Sequence, residues 1–367
     1  MYSENQKLLL LLDEMNVSRV GIFKLLEKYS LSFDLIDLFI NYENKLKEFF
    51  DDRVVKNIKN AILLKKHEKI AEKLTKMKIF CLFFGCEWYP EKLLGCKDAP
   101  IVLYTLGDYT LLSQKIIGVL GTRKPTEYGK YLTDYFVNAF EDNSLAVLSD
   151  LSYGINGLAS SILVNRKAKT IALLAGGLDS IYPSRNTNLA RQIVYSGGLL
   201  VSQYPPGEKP IPAYFSQRNR LLALLCDGVI VLEAGEDSGT LSSANYAVEE
   251  GRELFLVPGN INSPKSVGIN KLISEIPHAF TISPVDVFSR LNVAYKNATS
   301  NAEKNTSKLN VSNDEKVVLD ALCESGMFFD DLQEKTKFNS AKLSSLLTSL
   351  EISGLIKKLT GNYYEKN

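Results

Sequence analysis

Histidine is nearly absent from this chain of 367 residues: there are two, His67 and His278, and a single tryptophan. So few imidazoles remove most zinc sites, any choice of partners for a Ser-His-Asp or Cys-His arrangement, and the facial-triad irons. A hydrolase made from this sequence would have to depend on carboxylates. Cysteine is scarce too. The five residues Cys81, Cys86, Cys96, Cys226 and Cys323 form no CxxC pair, and an odd number in a chain of this size does not suit a disulfide-framed secreted fold. Net charge is also lacking, since 43 Lys and Arg against 42 Asp and Glu leave +1. Any polyanion site must therefore be a local patch. No uncharged stretch approaches the roughly 20 residues that span a bilayer. The earliest apolar run, Leu8 to Leu12, is too short for a secretory signal. These absences predict a cytoplasmic protein without membrane insertion, tilted toward binding rather than catalysis.

What is present has ordinary globular proportions, 45% hydrophobic and 23% charged, enough for two or three domains around sizeable cores. Residues 1 to 75 read as all-helical. Leu8, Leu9, Leu11 and Leu12 lie at helical spacing, and Ile22, Phe23, Leu25 and Leu26 repeat it after a break at Asn16-Val17-Ser18. The segment from Lys65 to Lys78 is lysine-rich over a thin apolar stripe of Ile70, Ala71 and Leu74, and reads as a solvated helix face.

From Ile79 the period changes. Short apolar runs bounded by turn residues stand at 78–83, 101–104, 116–120, 146–148, 170–174, 199–201, 228–232 and 254–257, as buried strands do. Helical patterns lie between the later ones, at 128–140, 157–164, 186–195, 218–225 and 241–250. This alternation predicts an α/β domain over 79–290, with a Rossmann-like, doubly wound, mostly parallel sheet covered on both faces. Residues 292–312 are rich in Asn, Ser and Lys and read as a linker. Three short helical patterns and two strands around Gly361-Asn362 follow, which at 313–367 is the pattern of a winged helix.

Ligands of such sheets sit outside the carboxyl ends of the strands, so the strand-to-helix turns carry the chemistry. The first turn holds Gly121, Thr122 and Arg123, small residues that let backbone N–H groups approach an anion beside a guanidinium fork. It is not GxGxxG, so a dinucleotide fingerprint is not met. A second turn carries Gly177 and Arg185, and a fourth carries Ser238 and Gly239. The third site opens a helix with Phe215, Arg218, Asn219 and Arg220, an aromatic for stacking beside two cations, which suits a nucleic acid. Singly, each turn is also ordinary punctuation of this fold, and Arg218 and Arg220 have Glu233 or Asp227 as possible structural partners. Converging on one sheet edge, the four would form a basic, phosphate-sized groove.

These residues resemble a known family, the DNA processing protein A (DprA/Smf) proteins of bacteria, over residues 85 to 280 closely and the tail more loosely. The matching blocks include Gly121-Thr-Arg123 through Tyr128-Gly129, Lys169-Thr-Ile-Ala, Gly177-Leu-Asp179 with Tyr182-Pro183, and Tyr204-Pro-Pro-Gly207. Phe215-x-x-Arg218-Asn219-Arg220, Ser238-Gly239-Thr240-Leu241 and Val257-Pro-Gly259 continue the series. The resemblance implies single-stranded DNA binding and loading of the RecA recombinase in natural transformation and recombination. It also implies a homodimer through the Rossmann-like domain, with no cofactor, metal or catalytic residue. By position it places Arg123, Lys169, Phe215, Arg218, Asn219 and Arg220 in the strand-binding pocket. The N-terminal helices resemble a sterile-alpha-motif or helix-hairpin-helix extension, with its turn at Val17 to Ile22.

The chain departs from the family at Asp150, Ser152, Asn156 and Ser160, where relatives carry Gly, Ala, Asp and His, and at Gln203, where they carry Glu. An enzyme of the nucleotide phosphoribohydrolase type is the alternative on this architecture. Its signature requires a catalytic glutamate, and Ser243 stands at that position. The tail's candidate recognition segment, 340–350, carries one cation, Lys342, so a protein-interaction role is expected of it.

Overall fold

A computed structural model describes residues 2–96, 98–295, 312–322, 326–352, 355–359 and 361–366. Most of the expected linker, 296–311, lies outside the described residues, as does Cys323. Two compact units result, one over residues 1–296 and one over 297–367.

The first unit begins with six helices: α1 (Glu4–Glu14), α2 (Arg19–Tyr29), α3 (Leu35–Asn41), α4 (Glu43–Leu46), α5 (Asp52–Leu63) and α6 (Lys66–Lys76). Ser3 starts α1 with a capping box shared with Gln6, and Ser18 caps α2, which satisfies helix-end N–H groups that have no internal partner. All five leucines from Leu8 to Leu12 are buried. A helix can bury a run of that kind only when neighbours cover several of its faces. Beyond the other helices, those neighbours include the sheet. Tyr104 donates to Asp13 Oδ2 at 2.7 Å, Tyr2 donates to the Ile79 carbonyl at 3.1 Å, and Phe23 meets Phe84 edge-on at 4.7 Å. One continuous core joins these helices to Phe83, Ala172 and Leu200. The boundary expected at residue 75 therefore separates two kinds of element within a shared core.

Eight strands follow: β1 (Phe80–Phe83), β2 (Val102–Gly107), β3 (Ile116–Leu120), β4 (Ala146–Ser149), β5 (Thr170–Leu173), β6 (Leu199–Ser202), β7 (Gly228–Val231) and β8 (Glu253–Leu256). They form one sheet in the order β1-β2-β6-β5-β4-β3-β7-β8. Each lies where an apolar run predicts a strand. The six from β6 to β8 along the sheet are parallel, while β2 runs antiparallel to both β1 and β6. Antiparallel neighbours need no helical crossover, and the chain before β3 supplies none. Helices α7 (Glu127–Asp142), α8 (Ile155–Asn165), α9 (Thr187–Tyr195), α10 (Pro212–Leu225) and α11 (Gly239–Glu249) make the crossovers, and α12 (Val267–Glu275) and α13 (Pro284–Arg290) close the unit.

The chain winds outward from β3 through β4 and β5 to β6. It then returns through α10 to set β7 on the other side of β3. Strand order thus reverses at β3, and a crevice must open where the crossovers on either side diverge.

The second unit contains α14 (Asn313–Ala321), β9 (Met327–Phe328), α15 (Phe329–Thr336), α16 (Ser340–Ile352), β10 (Ile356–Leu359) and β11 (Tyr363–Lys366). Its three strands pair antiparallel in the order β10-β11-β9, over a core of Val318, Leu332, Leu343, Leu347 and Tyr364. This is the expected winged helix. Its one cation on 340–350, Lys342, is paired with Asp314 at 2.8 Å.

Candidate nucleic-acid interface

A groove of about 610 Å³ lies at the switch point, walled by the turns after β3, β4 and β7, by α10 and by the loop before α12. It brings together Gly121, Thr122, Arg123, Phe215, Arg218, Asn219, Ser238 and Gly239. The turn after β3 is tight for a steric reason. A Cβ on Gly121 would come within 2.3 Å of the Ile155 side chain, and Gly154, at φ +80°, sits where a Cβ would approach the Thr122 carbonyl at 2.1 Å. Only glycine allows the β3 turn and the start of α8 to touch in this way.

The charges in the groove are partly neutralised from within. Arg218 Nη2 lies 2.6 Å from Asp150 Oδ2, and the two side chains are 8% and 6% exposed. The other Asp150 oxygen accepts from the Ser152 N–H at 2.9 Å, from the Ser152 hydroxyl and from Asn156 Nδ2 at 2.8 Å. Burial alone would raise the Asp150 pKa, but the Arg218 guanidinium and these donors hold the carboxyl below the usual range. Asn156 Oδ1 in turn accepts from the Gly121 N–H at 2.9 Å, and Ser160 and Ser149 share a hydrogen bond of 2.8 Å. Ser149 Oγ also lies 3.1 Å from the Asn156 carbonyl, so Asp150, Ser152, Asn156 and Ser160 are parts of one hydrogen-bonded network. Its consequence is that the Gly121 amide, expected to face an anion, already has a partner. The Thr122 amide is likewise taken, by the Glu233 carbonyl at 2.7 Å.

Glu233 is buried and serves the fold. Its carboxylate accepts from the Thr126 N–H at 2.9 Å and the Thr126 hydroxyl at 2.7 Å. A Cβ on Gly129 would meet Glu233 Oε2 at 2.4 Å, so the glycine makes room for this carboxylate. Arg123 is exposed and has no ion-pair partner among the described residues. The half-buried Lys265, a further wall residue that no sequence motif marked, likewise has no ion-pair partner among the described residues. It stands on the loop between β8 and α12, where no local pattern signals a site. Phe215 presents a half-buried ring, with the Arg218 guanidinium 5.9 Å from its centroid and Tyr182 edge-on at 5.6 Å. Two exposed carboxylates, Glu236 and Asp237, also border the groove.

Four expected residues do not line it. Lys169 precedes β5, so it lies at the amino edge of the parallel strands, where it pairs with Asp108 at 2.9 Å. The expected convergence of Lys169 with Arg123 does not occur. Arg220 projects from another flank of α10, paired with Asp98 and Glu250 at 2.7 Å each, in a separate polar hollow with Arg19 and Gln203. Two residues along a helix is about 200° of rotation, which turns Arg220 away from Arg218. Neither arginine pairs with Glu233 or with Asp227, which holds Lys92 and Lys115. Gly177 is buried against the 205–208 turn, where its N–H donates to the Glu208 carbonyl at 2.9 Å. Arg185 is exposed beyond that loop. This second turn reaches the groove through Tyr182, against Phe215.

A doubly wound sheet whose switch-point crevice offers hydroxyls, an aromatic face and two cations without ion-pair partners among the described residues is a class of architecture that holds phosphate-bearing ligands. The model of the DNA recombination-mediator protein A family matches residues 80–292, and that of the DprA winged helix domain matches 302–362. The first alone covers more than half of the chain, which therefore belongs to the DNA recombination-mediator protein A (DprA/Smf) family. The DNA processing protein DprA of Bacillus subtilis is 39% identical over 211 residues, 56% of this chain and 70% of that protein. The X-ray structure of DprA from Streptococcus pneumoniae superposes with a TM-score of 0.66 at 29% identity, covering 78% of this chain and 98% of that one. A Helicobacter pylori structure, described as showing the single-stranded DNA binding mode of its DNA processing protein A, gives 0.53 at 31% identity over 58% and 95% of the two chains.

Proposed function

We propose that this chain is a non-enzymatic single-stranded DNA-binding protein that protects incoming strands and loads the RecA recombinase. In this reading it works in the cytoplasm as a homodimer through its Rossmann-like unit. The observation that carries the DNA reading is the presence of Phe215 and Arg123 in the lining of one open groove. A ring face accepts any base, and an uncompensated guanidinium accepts a phosphate without reading sequence. The Helicobacter relative's single-strand binding supports the same assignment. Recombinase loading and dimerisation rest on the family alone.

The two buried carboxylates at the turns around the groove, one in its wall and one behind it, are committed to protein partners, which supports binding over catalysis. Asp150 is committed to Arg218 and Glu233 to Thr126, and Ser243 occupies the position where a phosphoribohydrolase needs its glutamate. The deciding measurement is a mobility-shift series on single- and double-stranded oligomers at two salt concentrations. Preference for single strands with little sequence dependence is expected, and equal affinity for both forms would refute it. Release of free base from a nucleoside monophosphate would restore the enzyme alternative.

A further inference from the structure

The segment from Lys65 to Lys78 holds six lysines and two glutamates. Because an α-helix turns about 100° per residue, Lys66, Lys69, Lys73 and Lys76 fall within roughly 80° of arc on α6, and Lys65 stands just before its first turn. All five are exposed, whereas His67, Ala71 and Leu74 are buried on the opposite side. Lys65 has a carboxylate partner, Glu68, at 3.4 Å. Among the described residues Lys66, Lys69 and Lys76 have none, and Lys73 donates to a neutral acceptor, the Pro206 carbonyl, at 3.2 Å. Like charges at this spacing oppose the helix that carries them, and a polyanion lying along the face would relieve that repulsion.

The lysines also wall a cleft. Lys66, Lys69 and Lys73 form one side of a space of about 700 Å³, and α1 and α5 form the other with Met15, Asn57 and Leu64. Met15 and Leu64 are both exposed, and Glu14 is the one carboxylate in the lining. Cations on one wall and apolar and amide groups on the other suit a single strand, whose phosphates and bases point different ways. In a duplex the bases are stacked inward and could not reach Met15 or Leu64.

A chain of contacts leads from the lysine wall of this cleft to Phe215 in the switch-point groove. Lys73 touches Pro206, the next residue, Gly207, donates to Asp179 Oδ1 at 2.9 Å, and Gly177 donates to the Glu208 carbonyl. Tyr182, on the same loop as Gly177 and Asp179, packs against Phe215. The turns at 177–182 and 205–208 thus bridge the stacking aromatic of the groove and the lysine face of α6.

We propose that the α6 lysine face is a second track of the single-strand site, holding the phosphates of the same strand beyond the groove without sequence readout. The inference rests on the single-strand reading above. The N-terminal helices then belong to the DNA-binding surface.

The test uses the full chain, its K66A/K69A/K73A variant and an Arg123→Ala variant, on thymidine oligomers from about 6 to about 30 nucleotides, a range bracketing the few to sixteen nucleotides of known single-strand sites. The triple variant should match the parent on the shortest oligomers and lose the affinity the parent gains with length. Its salt slope on the longest should fall by about 2, three phosphates at roughly 0.7 each. Arg123→Ala should weaken binding at every length. Coincident length curves and slopes for the triple variant and the parent, with Arg123→Ala still weakened, would overturn the second track and leave the groove standing. A triple-variant loss equal at all lengths, or one confined to duplex, would also overturn it. A parent that binds no single strand at any length would remove both readings together.

Discussion

Arg218 and Asp150 form a 2.6 Å ion pair in the lining of the switch-point groove, with both side chains almost completely buried. A cation that the sequence offers to a phosphate is thereby held by a carboxylate of the chain itself.

Replacing Asp150 by Asn should therefore act in two directions. A buried guanidinium deprived of its partner costs about 3–5 kcal/mol of stability, which denaturant titration would read. The groove meanwhile gains one uncompensated positive charge, so the salt slope for single strands should rise by about 0.7. An unchanged slope would show that Arg218 does not face the strand.

Arg123→Ala and Lys169→Ala should separate cleanly. Arg123 lies in the groove with no ion-pair partner among the described residues, and its loss should lower the single-strand salt slope by about 0.7. Lys169 sits at the amino edge of the sheet and is paired with Asp108. Its replacement should leave groove affinity within about twofold, since exposed pairs contribute little. Equal losses from the two variants, measured side by side, would put Lys169 back on the strand path.

Gly129→Ala should destabilise the first unit by roughly 1–3 kcal/mol, the range for overpacking a filled site. The added methyl would meet Glu233 Oε2 at 2.4 Å and displace the carboxylate from the start of α7. A melting temperature equal to the parent's would refute the steric account.

Asp13 supplies a pH test of the contact between α1 and the sheet. Burial pushes its carboxyl up to about 6, despite the Tyr104 hydroxyl that favours the charged form. In the unfolded chain an aspartate titrates near 3.9. The folded state thus holds the proton more tightly. The protonation-linked stabilisation is fully present below about 4 and is lost as pH rises through about 6. Unfolding free energies at pH 5 and pH 8 should show this decline in the parent and much less of it in Asp13→Asn. Parallel pH profiles for the two proteins would sink the assignment.

A chain ending at residue 304 should remain folded and bind single strands. The first unit, 1–296, has its own cores, and the groove residues all lie within it. Disappearance of all DNA binding on truncation would make the winged helix the reader.

Much of the fold was legible because period and run length report burial directly. All eight apolar runs became strands of one sheet, and the spacing after residue 312 marked the winged helix. Part of the site was legible too, since Gly121, Arg123, Phe215 and Ser238 follow or face strand ends. Two misplacements had a signal available. Lys169 stands immediately before its strand rather than after it, and Arg220 is two helical residues from Arg218, so neither is on the groove side. Lys265 had none, standing on a loop brought to the groove only by the packing of α12. The links from Asp150 through Asn156 to Gly121 were equally hidden, because they depend on distances between segments far apart in the chain.

The sequence alone determined which segments became helices and strands, and in what order, because those choices follow from local periodicity and turn chemistry. Tertiary structure decided which charges stayed available. Coulomb interactions depend on separation in space and on burial, and neither is written in the spacing of residues along a chain. Arg123, Lys169, Arg218 and Arg220 are equivalent cations as letters. Folding placed one beside a buried aspartate, left one exposed in the groove, and carried two to other surfaces with partners of their own.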